Sequence, residues 1–355
     1  MMGRWGWWLL GLLLLASCVA KPIEQKEAEQ SPNQSPNQSH NLQSKPADSV
    51  AEKGESQAGT SVTVRPLRER LALHIDRLAD AGGNKSRVVF TPGNRWGVEY
   101  IVRQFQEAGV APLRDTFTAP FWKVKGWNGR DGRLANVIAE IPGASDSVVV
   151  LCAHLDASGS RDPGWKTNWQ TAAAPGANDN GSGIAALIEI VREVASAKPR
   201  YTLVAVASNA EEKNPDYAGH HHGSRAVAER LRREGKKVRA VVVMDMVGWS
   251  PNGASTMLFA DARSRPLAAS LRKLNQGLNT GLVIPAATAP CRNSDNEAFA
   301  AAGFPTVLFM ESCTPWRATG LRPRNPTYHT RRDTPATVNL SVTEAVVKLV
   351  SEWVD

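Results

Sequence analysis

Seven side chains in this sequence have the types and positions that chemistry needs. His154 and Asp156 close the apolar run VVVLCAHLD, and Asp179 lies in PGANDNGSG. Glu211 and Glu212 follow YTLVAVASNA, Asp245 lies in VVMDMVGW, and His329 lies in NPTYHTRRDT. Imidazole nitrogens and carboxylate oxygens are donors that zinc accepts, and a catalytic zinc keeps one position open for water. A carboxylate beside such a centre, left out of the ligand set, can carry a proton. Taken singly, most of these residues have plainer readings. An aspartate before NGSG serves as a turn or helix cap, and a lone histidine packs or sits at the surface. Asp245 is different, because a carboxylate inside an apolar run needs a partner. The adjacent glutamates at the tip of an apolar run need a balancing charge for the same reason. Their joint occurrence points to one shared metal centre.

The elements that must position them alternate along the chain. Apolar residues at helical spacing mark helices over 67–79, 98–109, 182–196, 294–303 and 341–354. Apolar runs over 135–143, 147–156, 201–208, 238–246 and 305–311 read as buried strands. Continuous apolar strands separated by helices indicate an α/β domain, a three-layer α/β/α sandwich around a mostly parallel, mixed sheet. With no stretch of linker composition inside it, residues 63–355 read as one domain. In such a fold ligands bind outside the carboxyl ends of the strands, where His154, Asp156, the glutamate pair and Asp245 fall.

The first residues call for a different account. Residues 1–17 have an early positive charge at Arg4 and a short apolar core that ends in small residues, as an export signal does. Leu15-Ala16-Ser17-Cys18 resembles a bacterial lipobox, with Cys18 carrying the lipid. Val19 follows it where an aspartate would signal inner-membrane retention, so the expectation is an envelope lipoprotein of the outer membrane, facing the periplasm or the exterior. Residues 18–62, rich in Pro, Asn, Gln and Ser, have too little apolar surface to offset their ordering entropy and read as a flexible tether. In an exported chain disulfides persist, and a bridge between Cys291 and Cys313 is expected, with Cys152 left as a buried thiol. The formal charge of +8 comes largely from basic clusters at 230–239 and 317–332, which suit solvated segments. No zinc-finger spacing, RNA-binding aromatic motif or helix-turn-helix signature accompanies them, so nucleic acid is not an expected partner.

The pieces CAHLD, GANDNGSG, NAEE, VVMDMVG, SDNEAF and NPTYHTRRDT, in this order, resemble the exported co-catalytic dizinc aminopeptidases of the bacterial leucyl aminopeptidase type. The resemblance covers roughly residues 85 to 345 and implies a phosphorylase/hydrolase-like fold, two zinc ions per chain and peptide substrates. Carried over by position, it implies that His154 and Asp245 hold one zinc, Glu212 and His329 the other, and that Asp179 bridges them. Glu211 then stays unliganded as the general base. Asp156 is the expected acceptor for the His154 ring N–H. The sequence also departs from the pattern. Ser294-Asp295-Asn296 stands where relatives often have Ser-Asp-His, and no tyrosine lies near Cys291, so Arg292 is the candidate oxyanion contact. Trp165 and Trp169 either line the pocket rim or pack the insertion that carries them. The run His220-His221-His222 reads as a surface loop or helix start, with an accessory metal site as the alternative. Two other functions compete. A glutaminyl cyclase shares the fold but works with one zinc and a tryptophan before the last histidine, where this chain has Tyr328. A non-enzymatic module that binds envelope polymers through its basic surface is the other.

Overall fold

The computed structural model describes residues 65–119, 132–215, 219–285, 290–320 and 322–355. The expected signal segment, Cys18 and the tether lie outside the described residues.

The strands are β1 (Pro112–Thr118), β2 (Arg133–Ile141), β3 (Ser145–His154), β4 (Tyr201–Ser208), β5 (Val238–Met244), β6 (Met257–Ala260) and β7 (Thr306–Met310). They form a seven-stranded sheet in the order β1-β2-β4-β3-β5-β7-β6. The central strands β4, β3, β5 and β7 run parallel to one another. Antiparallel pairs close both edges, β1 with β2 and β2 with β4 on one side, β6 with β7 on the other. The sheet is therefore mixed around a parallel centre, and the carboxyl ends of β3, β4 and β5 share one edge.

β3 shows how the sequence makes this sheet. Its run from Val148 to Ala153 is wholly buried. Alternation of side chains along a strand sends Val149, Leu151 and Ala153 to one face and Val148, Val150 and Cys152 to the other. The first set joins an apolar cluster with the helices α1 (Leu67–Asp80), α2 (Pro92–Glu107), α4 (Gly183–Val194), α6 (Arg265–Gly277) and α8 (Leu340–Val354). The second set joins α5 (His222–Arg233) and α7 (Asn296–Ala301). The short helix α3 (Trp165–Asn168) lies in the segment after β3. This is the three-layer α/β/α sandwich expected from continuous apolar strands.

α4 is buried along nearly its whole length, including Glu189. That carboxylate accepts Arg70 Nε at 2.7 Å and lies 2.8 Å from His74 Nε2, so α1 supplies the partners that a buried charge needs. α2 begins before its apolar periodicity does, because the Thr91 side chain caps Asn94 N at 3.2 Å and Pro92 suits the first turn. β1, β6 and α6 lie outside the set expected from sequence. β1 leaves most of its residues partly or fully exposed, β6 is four residues long, and α6 buries Ala268 and Leu271. None of them presents the strong apolar pattern that marks the central elements. No helix among the described residues is long and apolar enough to cross a membrane.

Candidate active site

His154 is the last residue of β3, Asp245 directly follows β5, and Glu211 and Glu212 lie just beyond the end of β4. Because these three strands are parallel neighbours, their ends deliver all four residues to one place. Asp179 comes from the loop that leads into α4, and His329 from the long loop between β7 and α8. His154 Nε2 lies 3.3 Å from Asp245 Oδ1 and 3.3 Å from Asp179 Oδ1. The other Asp179 oxygen lies 3.0 Å from His329 Nε2, which in turn is 2.8 Å from Glu212 Oε1. Two donor triads result, His154-Asp179-Asp245 and Asp179-Glu212-His329, and they share Asp179. One carboxylate facing two imidazoles with its two separate oxygens is the geometry of a bridging ligand. Mixed N and O triads of this kind fit zinc.

The ring orientations suit the same purpose. His154 Nδ1 lies 3.2 Å from the Asp156 main-chain oxygen, and His329 Nδ1 lies 2.8 Å from Ser160 Oγ. With Nδ1 engaged outward, each Nε2 is directed at the carboxylates. The expected role of Asp156 needs correction here. Its carboxylate oxygen is 3.8 Å from His154 Nδ1, beyond hydrogen-bond distance. It instead accepts the backbone N–H of Glu211 at 3.1 Å and of Glu212 at 3.0 Å. A carboxylate two residues past His154 sits beyond the strand end, where the next loop's amides reach it before the ring does. Asp333 does the same for the bridge, accepting Asn178 N and Asp179 N, each at 2.9 Å.

A buried cation underlies both anchors. Arg87 is fully buried and donates to the carbonyls of Leu155, Leu78, Pro175 and Gly176 at 2.6–2.9 Å. Burial pulls its pKa down to about 10, with Asp333 and Asp156 working against that. The guanidinium thus stays charged at neutral pH and ties the loops after β3 and before α4 to α1.

A sequence profile described as peptidase family M28 matches residues 136–354, more than half the chain and every triad residue named above. The chain belongs to peptidase family M28. A probable leucine aminopeptidase of Arthroderma otae is 30% identical over 254 residues, which is 69% of this chain and 60% of that relative. The M28 chain thus spans about 60% of the length of that relative. A Bacteroides thetaiotaomicron glutaminyl cyclase bound to N-acetylhistamine superposes with a TM-score of 0.63 at 19% identity, covering 81% of this chain and 97% of that one. A Zn-dependent exopeptidase from Parabacteroides distasonis does so with a TM-score of 0.61 at 16% identity, covering 81% and 97%. At these identities the structures share the fold.

Electrostatics in the M28 centre follow from crowding. Burial works against charge on both imidazoles, but the carboxylates win. Asp245 and Glu211 hold His154 well above its ordinary pKa, and Glu212 and Asp179 hold His329 at about 10. Burial also opposes ionisation of Asp179, and the hydrogen bonds from His154 and His329 drive it well below the carboxylate range. Burial lifts Glu212 to about 7. Glu211, absent from both triads, is raised well above the usual range, first by burial and then by Glu212 and Asp245. It is a carboxylate of raised proton affinity that neither triad claims.

The site opens into a cavity of about 250 Å³ lined by Glu211, Asp179, Met310, Asn293, Trp316 and Tyr328, among others. Tyr328 stacks on His329 with ring centroids 3.7 Å apart, and Trp316 leans on Tyr328 at 5.9 Å. Arg292 is exposed and does not line this cavity; its neighbour Asn293 does, and donates to Cys313 O at 2.8 Å. Cys291 and Cys313 are disulfide-bonded, with Cα atoms 5.6 Å apart, which ties the approach to α7 to the segment after β7. Trp165 and Trp169 are buried in an apolar cluster with Val88, Val89 and Leu134, so they pack the insertion instead of lining this cavity. The histidine tract does begin a helix, since His222 opens α5, but His221 is not at the surface. It is 2% exposed, and its Nε2 lies 3.0 Å from Glu211 Oε1. Sequence reasoning gave no role to Arg87, Asp333, Ser160 or Trp316. An arginine beside the apolar run VVF was the available signal for the first.

Proposed function

We propose that this chain is a zinc-dependent aminopeptidase that removes N-terminal residues from peptides. The observation that carries the reading is the pairing of two ligand triads through Asp179 with an unliganded carboxylate, Glu211, at their side. The donor chemistry suits two zinc ions per chain, one among His154, Asp179 and Asp245, the other among Asp179, Glu212 and His329. Zinc bound there would polarise the scissile carbonyl and make water a nucleophile near neutral pH. Glu211 takes the proton from that water and returns it to the leaving amine. Its raised proton affinity suits both halves of that task. Asp156 and Asp333 fix the loops that carry Glu211, Glu212 and Asp179, so the reacting groups are placed before substrate arrives. The cavity beside them, walled by Met310, Trp316 and Tyr328, receives the N-terminal side chain. On the sequence reading of residues 1–62, Cys18 carries a lipid that holds the enzyme at the cell envelope.

The deciding experiment is hydrolysis of aminoacyl anilides, free and N-acetylated, with and without chelator, alongside metal content per chain. Metal-dependent cleavage of the free amines alone supports the reading. Turnover that survives complete metal removal overturns it. Ammonia release from a peptide with N-terminal glutamine, at one metal per chain, would place the chain with the cyclases instead.

A further inference from the structure

The histidine tract brings a third donor set to the edge of this site. His220 Nδ1 lies 2.7 Å from His221 Nε2, and His221 Nδ1 lies 3.6 Å from Glu297 Oε2. One ligand atom from each of the three residues lies within 4.8 Å of the other two. The 2.7 and 3.6 Å contacts engage opposite nitrogens of the His221 ring, so a single ion takes one of the two. Adjacent residues of a regular helix could not converge in this way. Here His221 takes φ 59°, a left-handed conformation that a non-glycine residue adopts at a cost. The turn folds the His220 and His221 rings together, with centroids 3.8 Å apart and planes at 80°. Glu297 reaches them from the first turn of α7.

The polar accounting around His221 points the same way. Its Nε2 faces both His220 Nδ1 at 2.7 Å and Glu211 Oε1 at 3.0 Å. A ring nitrogen offers one hydrogen or one lone pair, so it cannot serve both neighbours fully. A cation bound by one nitrogen of each ring, with Glu297 in the same 4.8 Å set, would relieve that competition. The cluster is also reachable. His220 and His221 line the same cavity as Glu211, and the Glu297 side chain is 44% exposed. Solvent can therefore deliver a metal and complete its coordination.

We propose that His220, His221 and Glu297 form a third site for a divalent transition metal, weaker than the two triads and within reach of Glu211. Two imidazoles and one carboxylate are a zinc ligand set. Three donors, two of them on the partly exposed side, hold the ion less tightly than the shared buried triads. An ion on the His221 ring also changes the partner that Glu211 Oε1 has at 3.0 Å. Occupancy at metal excess therefore withholds the base and slows turnover, a consequence that rests on the aminopeptidase reading while the binding itself does not.

The test is equilibrium dialysis of the full chain against zinc, repeated with cobalt(II) so that the visible spectrum reports each equivalent. The expected result is two tight equivalents and a third at least about tenfold weaker. In His220→Ala and in Glu297→Gln the third equivalent weakens by a further tenfold or more, at least the loss that removing a mere supporting partner of a ligand brings, while the first two remain. Turnover of the native chain should fall as the third equivalent binds, and in His220→Ala it should not. Saturation of the native chain at two equivalents, or a third equivalent unchanged in both variants, overturns the site. Absence of turnover at every metal load would instead overturn the aminopeptidase reading, with the stoichiometry still deciding the third site.

Discussion

Asp156 holds Glu212 by its backbone: Oδ2 accepts the Glu212 N–H at 3.0 Å, and Oδ1 accepts that of Glu211 at 3.1 Å. One carboxylate thus sets the position of a proposed metal ligand and of the proposed base together. Asp156→Asn places an NH₂ group opposite one of these amides, where donor meets donor. The expected outcome is metal binding weaker by about 10–100-fold and a kcat lower by about 100-fold, because a small misplacement of the base is costly. Dialysis against zinc and steady-state kinetics at saturating metal check the two effects separately.

The two glutamates should fail differently. Glu211→Gln removes the proton carrier but leaves both triads whole. Metal content stays at the native value and kcat falls by about 10²–10⁴. Glu212→Gln replaces a charged carboxylate on the His329 side by a neutral amide, so the chain loses affinity for one ion first, and activity recovers in part at high zinc. A Glu211→Gln variant with native kcat would refute the base assignment.

Glu189 gives a pH dependence away from the metal centre. Burial works against its ionisation, but hydrogen bonds from His74 and Arg70 win and lower its folded pKa below the ordinary 4.5. A carboxylate depressed by folding contributes stability above its unfolded pKa and loses it as pH falls through the folded value. Glu189→Gln should cost about 1–3 kcal/mol near neutral pH. The gap between native and variant should shrink below about pH 4.5. Urea titrations of both proteins at a series of pH values read this difference, in which terms common to the two cancel. A gap that stays constant down to pH 3 would argue that the Glu189 charge plays no part.

Gly223, the second residue of α5, packs against the loop that carries the glutamates. A Cβ there would collide with the Asn209 backbone and with Asn136 Oδ1. These are groups with no room to yield, since Gly223 N also donates to Asn209 O at 2.9 Å and Asn136 Nδ2 donates to Gly223 O at 3.1 Å. Gly223→Ala should destabilise the protein by about 2 kcal/mol, roughly 5 °C in Tm. It should also lower kcat, because His221 N donates to Glu211 O at 3.0 Å across the same seam. Thermal melts and kinetics at a temperature where both proteins are folded separate the two losses.

The layers of this protein and the address of its chemistry are written in its sequence. Apolar continuity in β3, β4, β5 and β7 dictates a parallel centre buried on both faces, and strand direction then brings His154, the Glu211-Glu212 pair and Asp245 to one edge. These are local properties, readable because periodicity and strand ends are written in neighbouring residues. What only the tertiary structure decided concerns partners far apart in the chain. Asp156 turned from the ring of His154 to the amides of the next loop, because distance past a strand end is set by the packing of that loop. Arg87 and Asp333, 246 positions apart in the numbering, became the supports of the bridging Asp179 only once α1, β3 and the last loop were folded together. His221 reached Glu211 through a left-handed turn that no helical periodicity encodes. Hydrogen bonds and charges are satisfied in three dimensions, so the identity of the donors was legible in the sequence while their pairing was settled by the fold.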